Sequence, residues 1–252
     1  MDKAQQYREI LRSSTDWQPF LLKESGLPGP RGNLELMQAV ADEGNEQLFL
    51  DYISFSPLAA PSNDPKEFLV ACGVVGLGRL AAEGDLRWME TLRGMASDPR
   101  WRTREAVAMA LQRLGKNNMT VLLQEMAVWS RGNMLEQRAV GAALCEPVLL
   151  TQASEVKLVL KILDEITASL PQEQELRKGE EFQVLKKGLA YCWSVAVAAL
   201  PAEGEPLMEK WLTCGSNDRD IRWIMKENLK KNRLQRADAK WVAECLLKLE
   251  TS

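Results

Sequence analysis

Apolar residues recur along this chain at helical spacing, most clearly over Ser97–Leu114. The opening S-D-P-R combines two residue types that cap helices with a proline suited to a first turn. One stripe of the helix then carries Val107, Ala110, Leu111 and Leu114. The pattern predicts an amphipathic helix that begins near Pro99 and turns this stripe toward a core.

The same helix pattern occurs more than once. Ala106–Leu111 (A-V-A-M-A-L) matches Ala139–Leu144 (A-V-G-A-A-L), and Asn217–Leu229 repeats the opening and the spacing. Paired helices of about 33–47 residues per unit are typical of α-solenoids, nearest to HEAT and armadillo repeats. Because one pair cannot bury its apolar faces alone, we predict an all-α superhelix whose stacked pairs leave a concave wall.

We predict a single domain over residues 1–252, in which short helices in 1–65 precede, and are candidates to cap, an array of paired helices in 66–252. Stretches rich in proline, glycine or charge, such as Leu27–Gly32 and Pro171–Glu180, indicate loops. No segment alternates as a strand would, so we expect no sheet. The helices predicted for the array are Lys66–Ala82, Asp85–Ala96, Pro99–Leu114, Met119–Ser130, Met134–Leu144, Ser154–Leu170, Glu181–Leu200, Leu207–Thr213, Arg219–Lys231 and Ala237–Leu249.

The amino-acid composition excludes several kinds of catalytic and metal-binding site. The chain has no histidine, which excludes Ser-His-Asp and Cys-His nucleophiles and histidine-based zinc sites. Its net charge of −3 gives no global reason to expect nucleic-acid or membrane binding, although a local basic patch can exist. We expect a cytoplasmic protein without metal or cofactor, with no membrane segment, and with reduced, buried cysteines. The five are Cys72, Cys145, Cys192, Cys214 and Cys245.

The glycines Gly73, Gly76 and Gly78 stand close together in a helix-like segment. No strand pattern precedes them and no phosphate-binding G-x-x-x-x-G-K-[ST] motif occurs, so close packing of helices explains them better than a nucleotide. The tryptophans at periodic apolar positions are likewise predicted to pack internally, whereas Trp101, flanked by two arginines, is predicted to be partly exposed. The former are Trp88, Trp129, Trp193, Trp211 and Trp241.

The segment D-P-R-W-R-T-R-E-A-V-A-M-A-L resembles the second helix of a HEAT repeat, and weaker matches cover most of residues 33–232. The stretches L-P-G-P-R-G-N-L-E-L, G-V-V-G-L-G-R-L, A-L-C-E-P and I-R-W-I-M-K-E-N-L-K-K-N-R-L resemble an uncharacterised bacterial group of HEAT-repeat proteins. That group is similar to the AlkD-like alkylpurine DNA glycosylases. HEAT arrays serve many roles, so the resemblance implies a fold more strongly than a function.

The AlkD-like enzymes hold a damaged nucleotide against a Trp, an Asp and an Arg. The resemblance carries these roles to Trp101, Glu105 and Arg138, with Glu105 stabilising a positively charged sugar-like transition state or positioning water. Glutamate is one methylene longer than the family's aspartate, and a shifted carboxylate is costly for catalysis. A further aromatic of the family corresponds to either Tyr191 or Trp193.

The predicted wall is aromatic and acidic at one end and cationic at the other, where arginines and lysines concentrate over residues 219–236. Cations beside aromatics suit a phosphate backbone with a base nearby, while the same charges also suit a solvated helix end. An arginine in the register of Arg104 and Arg222 either meets a ligand or supports a neighbouring repeat. The candidate binding residues are Arg104, Arg219, Arg222, Trp223, Lys226 and Lys230. The wall is further predicted to present Ala108, Gln112, Met134, Gly141 and Cys145.

Two functions therefore remain open. The first is a non-catalytic HEAT-repeat module that binds a protein or a nucleic acid on its concave face. The second is a DNA alkylation-repair glycosylase that acts through Trp101, Glu105 and Arg138. The acidic charge balance and the glutamate favour the first.

Overall fold

The computed structural model describes residues 3–214 and 218–251. Over these residues the chain forms sixteen α-helices and one 3₁₀ helix without any strand, which confirms the all-α prediction. Asn217, where the last repeat is predicted to open, and the side chain of Cys214 lie outside the description.

Contacts divide the chain into two compact units, Met1–Asn118 (unit 1) and Met119–Ser252 (unit 2). The single repeat domain, its division near residue 65, and the stacking of pairs into a superhelix remain predictions. Unit 1 contains α1 (Lys3–Ser13), α2 (Gln18–Glu24), α3 (Leu34–Glu43), α4 (Glu46–Ile53), α5 (Pro65–Ala82), α6 (Trp88–Met95) and α7 (Trp101–Asn117).

Helix α5 is the centre of unit 1 and is buried nearly all round. Its glycines let neighbouring helices approach closely. A Cβ at Gly73 would lie 2.7 Å from the carbonyl oxygen of Phe49, and one at Gly78 would lie 2.4 Å from the Cα of Ala110. The prediction that these glycines serve helix packing is confirmed.

Helix α7 begins at Trp101, two residues later than predicted. Asp98 accepts hydrogen bonds from the backbone and the guanidinium of Arg100, at 2.8 Å each, and does not cap the helix in the ordinary way. Val107 and Leu111 are fully buried, as predicted, whereas the prediction that Ala108 faces outward is wrong because this small side chain is also covered.

Two distant side chains, Arg102 and Asn63, hold the turn between α2 and α3, and a glycine within the turn allows its backbone conformation. Arg102 donates to the carbonyl oxygen of Gly29 at 2.5 Å and to Oδ1 of Asn63 at 3.2 Å. The amide of Gly29 donates to the same Asn63 oxygen at 3.0 Å. Gly26 has φ +75, a left-handed conformation that favours glycine. The segment predicted as a loop is therefore ordered by contacts with residues far along the chain.

Unit 2 contains α8 (Met119–Trp129), α9 (Met134–Leu144), a 3₁₀ turn (Pro147–Leu149), α10 (Ala153–Ala168), α11 (Gln174–Lys178), α12 (Glu180–Ala199), α13 (Pro201–Cys214), α14 (Arg219–Leu229), α15 (Asn232–Ala237) and α16 (Ala239–Thr251). The predicted loop over 171–180 thus includes the short helix α11, and the predicted last helix is preceded by the separate α15.

Helix α13 begins six residues before the predicted start at Leu207 and includes Pro206. A proline removes one backbone hydrogen bond but does not forbid helical dihedral angles. The early part of α13 packs closely on α12, because a Cβ at Gly204 would lie 2.7 Å from the Cα of Val197.

Most predicted core side chains are buried. Trp129, Trp193, Trp211 and Trp241 are covered, whereas Trp88 is half-buried with the guanidinium of Arg87 over its ring at 4.7 Å. The wall positions Gly141 and Cys145 are also buried, so the prediction that they project outward is wrong. The cysteines whose side chains are described, Cys72, Cys145, Cys192 and Cys245, are buried free thiols, as predicted.

Candidate functional site

Helices α12 and α14 of unit 2 are joined by a buried asparagine, Asn228. Its Oδ1 accepts from the backbone amide of Ser194 at 2.8 Å, and its Nδ2 donates to the carbonyl oxygen of Leu189 at 2.9 Å. Asn228 is fully buried, so these bonds replace contacts with water that its amide would otherwise make. The two helices therefore present their exposed side chains from a fixed framework.

An exposed aromatic ring and an arginine meet on this framework. Tyr191 of α12 is 45% exposed, and the guanidinium of Arg233 on α15 lies 4.4 Å from the centre of its ring. Arg233 Nη2 also donates to the Tyr191 hydroxyl at 2.6 Å. The other terminal nitrogen, Nη1, is buried and has no hydrogen-bond partner. An unpaired buried donor costs free energy, and the stacked, hydrogen-bonded contact with Tyr191 is what holds this guanidinium in place.

The surroundings of this pair are cationic. We call the set Lys187, Tyr191, Trp223, Lys226, Lys230 and Arg233 the cationic surface. Lys187 stands one helical turn before Tyr191. Trp223 and Lys226 share one face of α14, and Lys230, the C-cap residue, follows one turn after Lys226. Lys186 links the two helices, because its Nζ lies 4.6 Å from the centre of the Trp223 ring.

Nearby carboxylates are already paired. Glu227 accepts from Lys230 at 2.5 Å, and Asp220 accepts from Lys186 at 2.6 Å. In contrast, Lys187 and Lys226 form no ion pair with any residue that the structure describes. The surface therefore carries excess positive charge in a chain whose net charge is −3.

A polar cleft of about 780 Å³ adjoins the surface at the start of α14 and includes Trp223 in its lining. Arg177 holds one wall of this cleft together. It is 5% exposed and donates to Asp218 Oδ2 at 2.6 Å and to Asp220 Oδ2 at 3.1 Å. The hydrogen bond from Arg177 lowers the pKa of Asp218, with further help from the backbone amides that Asp218 caps. Asp218 thus serves as the charged N-cap of α14.

The other candidate binding residues differ in their surroundings. Arg219 is exposed beside the cationic surface. Arg222 is half-buried and donates to the carbonyl oxygen of Leu249. Arg104, in unit 1, is buried and donates to the carbonyl oxygens of Asp98 at 2.8 Å and Pro99 at 3.1 Å. Arg104 thus contacts the turn just before its own helix, and Arg222 contacts α16; whether either residue also meets a ligand stays a prediction.

The three candidate catalytic residues are divided between the units. Trp101 and Glu105 are exposed on α7 of unit 1, one helical turn apart, and Arg102 stacks on the Trp101 ring at 4.3 Å. Arg138 is half-buried on α9 of unit 2, where its Cγ would lie 3.5 Å from a Cβ at Gly188 on α12. Arg138 therefore passes beside the helix that carries Lys187 and Tyr191.

Sequence reasoning left two aromatics open, and they differ in exposure. Trp193 is fully buried and donates its indole N–H to Thr167 Oγ1 at 3.1 Å, whereas Tyr191 is exposed. The sequence carried no sign of the Arg233–Tyr191 contact, because 42 residues separate the partners. Lys187 was also missed, although its spacing of four from Tyr191 indicates a shared face.

Comparisons of this chain with protein families, with curated proteins and with solved structures found no match. Among the residues that the structure describes, no cluster of three or more acidic or cysteine side chains is arranged to hold a metal ion. Over the same residues, no helix has both the length and the apolar character needed to cross a membrane.

Proposed function

We propose that this chain is a non-catalytic helical-repeat module that binds nucleic acid through the cationic surface of unit 2. The observation that carries the proposal is the exposed Tyr191 ring, with Arg233 stacked on it, on a surface whose lysines Lys187 and Lys226 form no ion pair with any described residue. Lysines in reach of a backbone and aromatic rings in reach of bases are the two elements of sequence-tolerant binding to single strands.

The contacts suggest a role for each group. Lys187 and Lys226, which lack carboxylate partners among the described residues, neutralise phosphates, and Arg233 adds positive charge beside the Tyr191 ring. The exposed faces of Tyr191 and Trp223 stack on bases. The stacking of helix pairs into a HEAT-like superhelix with this surface on its inner wall belongs to the same proposal.

Fluorescence anisotropy of a labelled single-stranded oligonucleotide tests this function. We expect binding at low salt that weakens as salt rises, with a log–log slope of about −0.7 for each phosphate neutralised. Lys226→Glu should weaken binding about tenfold or more and make the slope shallower by about 0.7, because one phosphate contact is lost. Tyr191→Ala should weaken binding by an amount equal to roughly 1–3 kcal/mol, because one stacked base is lost.

The matched control is Lys161→Glu, which makes the same charge change at an exposed lysine of α10. It should leave the affinity within about twofold, as expected when a distant charge is screened at physiological salt. Equal weakening by Lys161→Glu and Lys226→Glu would show that charge alone governs binding. Absence of binding to single-stranded or duplex nucleic acid at low salt would overturn the proposal.

The glycosylase stays a second candidate because Trp101 and Glu105 lie side by side at the mouth of a cavity in unit 1. Release of methylated adenine from alkylated DNA, abolished by Glu105→Gln, would favour it. Binding without such release would leave the module as the better account.

A further inference from the structure

Unit 1 contains an apolar pocket of about 220 Å³ between the turn that follows α2 and the helices α3, α5 and α7. We call it the loop pocket. Leu27, Met37 and Phe68 close its inner end and are buried. Trp101 and Glu105 stand at its mouth. The remaining apolar lining includes Pro30, Leu34 and Met109.

The pocket keeps its shape through contacts behind it. Arg102 holds the carbonyl oxygen of Gly29 and pairs with Glu67, whose Oε2 lies 3.3 Å from Arg102 Nη1. Glu67 is buried and also accepts from the Asn63 amide at 2.6 Å. Because these bonds fix the turn, the pocket requires little ordering when a ligand enters.

Apart from Arg102, the buried part of the lining offers only hydrocarbon and thioether side chains. The polar side chains of the lining are Arg31, Arg102 and Glu105, of which Arg31 and Glu105 are exposed. The terminal nitrogens of Arg102 are engaged with the turn and with Glu67, and its Nε is buried without a partner. A nucleobase inside would therefore leave most of its ring nitrogens and exocyclic groups without partners, at a cost of roughly 1–3 kcal/mol each.

A phenyl ring meets no such cost. An apolar cavity of about 150 Å³ accommodates benzene in another protein, so the loop pocket has room for one ring. The thioethers of Met37 and Met109 favour contact with an aromatic edge. The volume is below the roughly 300 Å³ typical of small-molecule sites, which favours one anchor residue of a larger partner over a complete cofactor.

We infer that the loop pocket is a docking site for a phenylalanine side chain of an extended peptide from a partner protein. This site lies in unit 1 and is independent of the nucleic-acid proposal for unit 2. The peptide backbone stays outside, across the exposed mouth formed by Trp101 and Glu105.

The test uses the full chain with ¹³C-labelled methionine methyl groups. The signals of Met37 and Met109 are assigned from Met37→Leu and Met109→Leu, and the buried Met208 of unit 2 is the internal control. Titration with acetyl-Gly-Phe-Gly-amide should shift the Met37 and Met109 signals through the ring current and leave Met208 unchanged. Acetyl-Gly-Ala-Gly-amide should shift none of them.

Comparison ligands and variants make the result decisive. 9-Methyladenine should bind at least about tenfold more weakly than the Phe peptide, because its polar edges lose their hydrogen-bond partners. Ala71→Leu, which fills the inner end, should abolish the phenyl shifts while keeping the native melting curve; if it does not fold, Leu34→Phe at the half-exposed edge replaces it. Glu105→Gln should retain the shifts.

Three outcomes would overturn the proposal. The first is no response of Met37 and Met109 to the Phe peptide, even when toluene shifts them, because the pocket would then be closed to a peptide. The second is a response to 9-methyladenine as strong as that to the peptide, which would indicate a base site. The third is unchanged peptide binding by a folded, filled variant.

Discussion

Replacing Gly78 by alanine tests how closely α5 and α7 pack. The added Cβ would lie 2.4 Å from both Cα and Cβ of Ala110. Carbon atoms pack best at about 3.5–4.0 Å, so the helices must separate by roughly 1 Å. Ala110 is fully buried and its Cα belongs to the helix backbone, so no side-chain rotation can relieve the contact.

Two opposing contributions set the change in the free energy of unfolding that we expect for Gly78→Ala. Overpacking a core costs about 1–3 kcal/mol, and the rigid partner places this site at the upper end. Alanine recovers about 1 kcal/mol of helix propensity relative to glycine. We therefore expect Gly78→Ala to lower the free energy of unfolding by about 2 kcal/mol and the melting temperature by roughly 4–8 °C.

Gly94→Ala is the matched control. Gly94 also lies within a helix, α6, but an added Cβ there meets nothing within 4 Å. This variant should gain about 0.5–1 kcal/mol from helix propensity alone. Urea and thermal unfolding, followed by the circular dichroism of the helices, give both values. Equal stability changes in the two variants would refute the argument that α5 depends on close approach.

Two further predictions concern ionisable groups. Because Arg177 lowers the pKa of Asp218 in the folded state, the stabilisation is present above the ordinary value of 3.8 and is lost as pH falls through the lowered pKa. Asp218→Asn should therefore be less stable than the parent at pH 7 and should lose less stability on acidification. Urea titrations at pH 7 and at a pH below 3.8 measure both free energies of unfolding. An equal loss of stability in the parent and the variant would contradict this. Burial raises the pKa of the Cys72 and Cys145 thiols, so iodoacetamide should modify them only as fast as the chain opens, and rapid labelling in native buffer would show that they are accessible.

Much of the local structure could be predicted from the spacing of apolar residues and from the positions of proline, glycine and helix-capping residues. Helix α5 was predicted within one residue of each end, and its glycines were correctly attributed to packing. The start of α13 was missed because Pro206 suggests a boundary. The close approach of Gly204 to Val197 in this early part of α13 depends on how α12 and α13 pack, which the local sequence does not show.

The sites were harder to predict because their partners are distant in sequence. The loop pocket depends on Arg102 reaching Gly29 across 73 positions, and the segment around Gly29 shows only turn chemistry. The choice between Tyr191 and Trp193 could not be made because the second half of α12, from Leu189 to Ala199, is apolar nearly all round, so periodicity does not identify its exposed side. The exposed residues of α14 were easier, since that helix has a clear polar face.

The contacts of Arg177 also bear on how this protein can be engineered. Residues 171–179 have the composition of a flexible linker and would attract a designer looking for a place to insert a tag or open new termini. Yet Arg177 connects this segment to Asp218. It also closes the segment on itself, because its Nε donates to the carbonyl oxygen of Pro171 at 2.5 Å. An insertion there would release a buried guanidinium and weaken the cap of α14, so the cationic surface would lose part of its support.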